Sequence, residues 1–172
     1  MENQGWSICS GGGGQFKLEL GGQFVRFFQY TLVPVDSLDL KYIETDYTPV
    51  YSEIYHMDGT RRFKLTTTVS IRNTTLADSA YILKSTYYDS NGTVLREYLE
   101  SALLLPPLAS IEFVVEESEE FGGVGANFIV KWGANSSKSQ ILIQSIMIGT
   151  YGQQGISFVT DSRIIETHQV NN

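Results

Sequence analysis

Phe63-Lys64-Leu65-Thr66-Thr67-Thr68-Val69-Ser70-Ile71-Arg72 is the stretch whose reading decides the fold. Phe63, Leu65, Thr67, Val69 and Ile71 point one way, while Lys64, Thr66, Thr68, Ser70 and Arg72 point the other. Successive side chains leave a pleated backbone on opposite sides, so this period of two marks a strand with one buried and one wet face. Asn73-Thr74-Thr75 ends it.

The same alternation recurs downstream. A second strand is expected from Tyr81 to Tyr88, and Asp89-Ser90-Asn91-Gly92 reads as a hairpin turn with glycine where φ must be positive. Val94, Leu95, Tyr98 and Leu99 lie on the return. Pro106-Pro107 breaks the ladder, because proline has no backbone N–H to donate. Ile111, Phe113 and Val115 form the next apolar face. Beyond an acidic turn from Glu116 to Gly125 come Phe128, Val130 and Trp132. Asn135-Ser136-Ser137 is a loop. Ile141 to Ile148 is apolar on both faces, as expected of a central strand covered on both sides or of one that meets a partner. Ile156-Ser157-Phe158 and Ile164-Ile165 supply final short strands. Strands at this spacing, with turn chemistry between them, predict an all-β, two-sheet antiparallel sandwich of the immunoglobulin-like kind.

Upstream the pattern weakens. Gly11 to Gly14 are costly to order, so residues 1 to 15 read as a flexible lead-in. Phe16 to Leu20 alternates like a strand. Phe24, Phe27, Phe28 and Leu32 fit helical spacing, yet Phe28, Tyr30 and Leu32 fit a strand, which the preceding Gly21-Gly22 favours. The expected organisation is an N-terminal extension over residues 1–46, flexible and then a β or aromatic docking segment, followed by a sandwich domain over residues 47–172.

Composition bounds the function. The chain of 172 residues suits one domain, and 42% hydrophobic content with ten Tyr and nine Phe supplies a β-rich core. Nineteen acidic residues against twelve basic ones give a net charge of −7. A surface of that sign repels phosphate backbones, which argues against nucleic acid as a partner. The basic run Arg61-Arg62-Phe63-Lys64 reads as the solvated start of a strand. One cysteine, Cys9, allows no intrachain disulfide, and two histidines leave little for an imidazole zinc site, so neither metal nor cofactor is expected. No apolar run reaches the ~18 residues of a membrane helix. The start has neither a basic n-region nor an apolar h-region and does not read as a signal peptide. Cys9 before Ser10 and four glycines is reminiscent of a lipid tether, the one route to a membrane expected here.

Several segments together carry a family likeness. They are Thr48-Pro49-Val50-Tyr51-Ser52-Glu53-Ile54-Tyr55-His56, Val69-Ser70-Ile71-Arg72-Asn73-Thr74, Tyr87-Tyr88-Asp89-Ser90-Asn91-Gly92, Leu108 to Glu116, Gly122 to Phe128, and Ile148 to Phe158. In order and spacing they resemble a bacterial, notably cyanobacterial, domain family of unknown function, over about residues 47 to 166. Members of that family are predicted envelope lipoproteins, so the resemblance implies a cell-envelope or periplasmic location. It carries no catalytic assignment. Glu53 stands where the family pattern leads us to expect His, which weakens a metal reading there.

Candidate sites are few. Glycines 149, 152 and 155 precede Ile156-Ser157-Phe158-Val159, a strand, whereas a phosphate loop opens a helix; they read as a β-turn. Glu116, Glu117, Glu119 and Glu120 lack the Asp-x-Asp-x-Asp-Gly spacing of a calcium loop. There is no Gly-x-Ser-x-Gly elbow. Asn73, Asn91 and Asn135 head Asn-x-Ser/Thr sequons in predicted turns. If Pro49 to Tyr55 is extended, Tyr51, Glu53 and Tyr55 share a face beside His56, a surface that could stack a sugar or dock a partner. Phe24, Phe27 and Phe28 form a second candidate docking segment, adding a strand to this sandwich or to a neighbouring chain. The expectation is a non-catalytic envelope module that binds or scaffolds another macromolecule, with a protein partner or self-association. The alternatives are a small-ligand or carbohydrate-binding module on the tyrosine face and, third, a carboxylate-dependent hydrolase.

Overall fold

Thr66, Thr67, Thr68, Val69 and Ile71 crowd β-branched side chains into one short run, and extended backbone is what accommodates them. The computed structural model describes residues 30–119 and 121–169. In it the chain forms β1 (Thr31–Val33), β2 (Tyr42–Pro49), β3 (Glu53–His56), β4 (Asp58–Lys64), β5 (Thr66–Asn73), β6 (Ala80–Tyr88), β7 (Val94–Glu97), β8 (Ala102–Leu105), β9 (Ser110–Val115), β10 (Asn127–Ala134), β11 (Ile141–Tyr151), β12 (Gln154–Asp161) and β13 (Arg163–Gln169). One sheet runs β1-β8-β6-β10-β2-β13, with β7 also on β6, and a second runs β12-β11-β5-β9. A separate two-stranded ribbon pairs β3 with β4.

The two larger sheets bury their facing sides. From the four-stranded sheet come Val69, Ile71, Ile111, Phe113, Ile143 and Met147; from the other come Ile82, Tyr87, Phe128, Val130 and Trp132. Tyr98 joins them, its ring centroid 4.9 Å from Phe113 and 5.4 Å from Phe128, while its hydroxyl donates to the Val114 carbonyl. Asn73 adds a polar tie: its buried amide donates to the Leu105 and Asp78 carbonyls and accepts from Thr75 N–H. The fold is an all-β antiparallel sandwich.

Two chain segments stitch the sheets along one side. The Pro49 carbonyl, at the end of β2, accepts from the Ser145 and Thr160 hydroxyls of β11 and β12. Ser162, the one residue between β12 and β13, marks the point where the chain leaves the four-stranded sheet for the seven-stranded one, and its N–H donates to Ile143 O at 3.0 Å.

Several expectations change in detail. Leu65, Thr67, Val69 and Ile71 are buried as the alternation predicts, but Phe63 belongs to the ribbon strand β4 and is only half-buried. Ala102–Leu105 forms a strand of its own just before the Pro-Pro break, and the last two strands are long, continuous edges instead of short pieces. β2 lies in the same compact unit as the rest of both large sheets. On β11, Ile143 and Met147 point inward, whereas Leu142 and Ile148 are 38% and 53% exposed: the outer face is open, not covered. The readings made for residues 1–15, Phe16–Leu20, Phe24, Phe27 and Phe28 lie outside the described residues.

Candidate functional site

The β3–β4 ribbon is hydrogen-bonded to neither large sheet, and its ends meet: Leu65 N–H donates to the Ser52 carbonyl at 2.8 Å. Its tip is built by Asp58, whose Oδ1 accepts from Thr60 N–H, Arg61 N–H and the Thr60 hydroxyl. Those donors, the Thr60 hydroxyl foremost, hold the Asp58 carboxyl below its usual range. Met57, with φ 65°, makes the reversal and is 81% exposed.

Register sorts the side chains onto two faces. Glu53 stands opposite Lys64, and Tyr55 opposite Arg62. Arg62 pairs with the Glu53 carboxylate and lies 5.0 Å from the Tyr55 ring centroid, an ion pair and a cation–π contact made by one guanidinium. The other face holds Ile54 opposite Phe63, with the His56 ring 6.0 Å from Phe63 and the Tyr151 ring of the β11–β12 turn 6.4 Å from it. Gly149 permits this approach. A Cβ there would strike the Phe63 ring and stand 2.6 Å from Lys64 O and 2.8 Å from a Leu65 methyl.

Of the residues singled out from the sequence, Glu53 and Tyr55 do share a face. His56 lies on the opposite one. Tyr51 lies on neither, because the chain bends at Ser52 and the segment from Pro49 to Tyr55 is not one strand. Its ring packs edge-on against Phe158, 5.8 Å away, and its carbonyl accepts from the Thr67 hydroxyl. Arg62 completes the site: it is exposed, as expected of the basic run, and the hairpin register brings it to Tyr55.

A second cluster escaped the sequence reading altogether. Tyr42, Glu44 and Asp46 alternate on β2, and their partners Ala134, Trp132 and Val130 on β10 show that this face is the core face. Glu44 and Asp46 are only 6% and 4% exposed. Asp46 accepts from Trp132 Nε1 at 3.0 Å and from the Ser162 hydroxyl at 2.9 Å, and Glu44 accepts from the Tyr42 hydroxyl. Burial raises the Glu44 carboxyl, with the Tyr42 hydrogen bond opposing and the Asp46 charge adding to it. Tyr42 itself is pushed up to about 12, first by burial and then by Glu44. The acidic loop is organised differently, with Glu119 paired to Arg96 at 3.1 Å. Among the described residues, no three His, Cys, Asp or Glu side chains are grouped to hold a metal.

The chain matches, over residues 43–165, the model of a family described as protein of unknown function, DUF3124. It belongs to that family. The match runs from the second residue of β2 to the third of β13 and so takes in the ribbon and most of both sheets. No curated protein matches the chain. Among solved structures, one titled "Crystal Structure of Thermotoga maritima 1070" aligns at 10% identity with a TM-score of 0.40, over 70% of this chain and 92% of that one, a likeness too distant to argue from.

Three of the segments that carried the family resemblance meet at one knot. Ser52 N–H and Oγ both donate to Gly123 O; Ser90 N–H and Oγ both donate to Gly122 O; Gly125 N–H returns a bond to Ser90 Oγ. A Cβ at Gly122 would collide with the Tyr87 hydroxyl. Burial pushes that buried phenol up to about 12. These serines and glycines close loops over the end of the core.

Proposed function

We propose that this chain is a non-catalytic module of the bacterial cell envelope that docks a protein partner on the β3–β4 ribbon. The observation that carries this reading is the ribbon itself: a separately paired hairpin, its tip tied by hydrogen bonds to Asp58, presenting Tyr55 at 53% exposure and Met57 at 81%, with Arg62 organised between Tyr55 and Glu53. Aromatic, methionine and arginine side chains are those enriched where proteins meet. The envelope location rests on the family resemblance, as does a lipid tether at Cys9. The non-catalytic reading is supported by the buried acids Glu44 and Asp46 being turned into the core and engaged by Tyr42, Trp132 and Ser162.

A photo-crosslinking residue placed at Met57 in the full chain, in cells of the source organism, tests the proposal. A discrete adduct is expected that disappears in Tyr55→Ala/Arg62→Ala. Labelling no stronger than from Leu76, which is 84% exposed and lies away from the ribbon, would contradict it. Carbohydrate binding is a second reading, favoured by one observation: the Tyr151 ring, 76% exposed at a turn with Gln153 and Gln154, is a freer stacking surface than Tyr55, which already carries Arg62.

A further inference from the structure

A strand at the edge of a sheet offers unpaired N–H and C=O groups to any other strand, and proteins blunt such edges with shortness, charge, proline or bulges. Among the described residues the two large sheets end on β1, β7, β9, β12 and β13. Four of these are blunted. β1 has three residues and runs into Pro34, and β7 has four, ending on Arg96 and Glu97. β9 carries Glu112 and leads into Glu116 and Glu117. β13 has its bulge between Ile164 and Glu166 and the charges of Arg163 and Glu166. β12 has none of these devices. Its eight residues pair with β11 in unbroken register, and no proline, lysine or charge occurs before Asp161 at its end. Ile156 and Val159 are 40% and 55% exposed on it.

The register tells which backbone groups face outward. Ser162 N–H donates to Ile143 O, one step beyond the Asp161–Gln144 pair, and at the other end Tyr151 and Gln154 close a two-residue turn. Both ends mark the same alternate pairs as the hydrogen-bonded ones. Gln154, Ile156, Phe158 and Thr160 therefore turn their N–H and C=O groups to β11. Gly155, Ser157, Val159 and Asp161 turn theirs to the free edge, where among the described residues no backbone partner meets them.

We propose that β12 is a self-association edge: two copies of this chain pair β12 with β12, antiparallel about Phe158, and join their four-stranded sheets into one continuous sheet. Charge favours a second copy at this place. A chain of net charge −7 repels its own copy over most of its surface, whereas Gln154 to Thr160 is neutral. Symmetry fixes the register. A two-fold axis normal to the sheet keeps inner faces together, so residues that meet must both be odd-numbered or both even-numbered. Centred on Phe158, Gly155 meets Asp161 of the second copy and Ser157 meets its Val159, so every outward residue of β12 finds an outward residue. The carboxylate of Asp161 then faces a glycine and no second carboxylate. Centred on Ser157 or on Val159, one outward residue at an end of β12 finds no β12 residue opposite. The contact is independent of the β3–β4 ribbon.

Sedimentation velocity on the full chain, under reducing conditions so that Cys9 takes no part, tests this. The mass should move from one chain toward two across roughly 5 to 500 µM, as suits a small edge contact. Ser157→Lys/Val159→Lys sets like charges opposite one another in the stated register and should weaken association about tenfold. Ser157→Lys/Val159→Glu sets opposite charges at the same places and should restore it. Both side chains lie on the exposed outer face, so the melting temperature of either variant should stay near the parent's. Tyr55→Ala/Arg62→Ala should leave the mass as in the parent. One chain's mass at every concentration would overturn the proposal. So would association that survives the two lysines, that lysine with glutamate fails to restore, or that the ribbon variant abolishes.

Discussion

Asp46 satisfies two donors, the Trp132 indole and the Ser162 hydroxyl. Truncation therefore strands two polar groups near the core. Asp46→Ala is expected to cost about 2–4 kcal/mol in denaturant unfolding, the range for leaving buried donors unpaired. Glu44 behaves in the opposite sense. Its native carboxyl is raised mainly by burial, so the folded chain binds that proton more tightly than the unfolded chain does. The stabilisation this gives is complete at pH values below the unfolded titration and is lost as pH climbs through the native one. Glu44→Gln, which keeps an acceptor for Tyr42, should thus gain on the parent in melting temperature as pH rises from 4 to 8. A gap between the two chains that is constant across that range would remove the burial argument.

At the scale of elements, Gly149 fixes how closely β11 and the ribbon approach. A methyl group there meets Lys64 O at 2.6 Å and a Leu65 methyl at 2.8 Å, and backbone cannot step aside cheaply. Gly149→Ala should destabilise by about 1–3 kcal/mol, as overpacking does, measurable as a lower midpoint in urea. The sequence made the inner strands legible for a related reason. In β5, β9 and β10 one face is apolar and packed while the other is wet, so the period of two survives in the residues themselves. β2 hid because its core face carries Tyr42, Glu44, Asp46 and Thr48, the reverse of the usual pattern. β8 hid because three of its four residues are buried, leaving no alternation to see. The edge strands β12 and β13 were underestimated because both faces of an edge meet water. For the candidate site, Glu53 and Tyr55 could be paired from their spacing alone. Arg62 could not, since its place depends on a reversal at Met57 that a left-handed φ sets.

Across the molecule, labour divides between a sandwich that holds itself together and a ribbon that it carries. Hydrophobic burial between the two sheets, with Tyr98, Asn73 and Pro49 as ties, accounts for the fold without calling on residues 53–64. Besides the close seat of Phe63 on Gly149, the ribbon's side-chain contacts are an ion pair, one cation–π contact and ring edges, each worth about 1 kcal/mol or less. Because Ser52 and Leu65 already share a hydrogen bond of 2.8 Å, Asn-Gly can replace Glu53–Lys64 and close the chain as a tight turn. Thermal unfolding of that shortened chain is the most direct test. A single cooperative transition within about 8 °C of the parent, the shift expected for the loss of one or two kcal/mol in a domain this size, is the predicted result. Loss of the cooperative transition would show that the ribbon is part of the fold and not a surface held out for a partner.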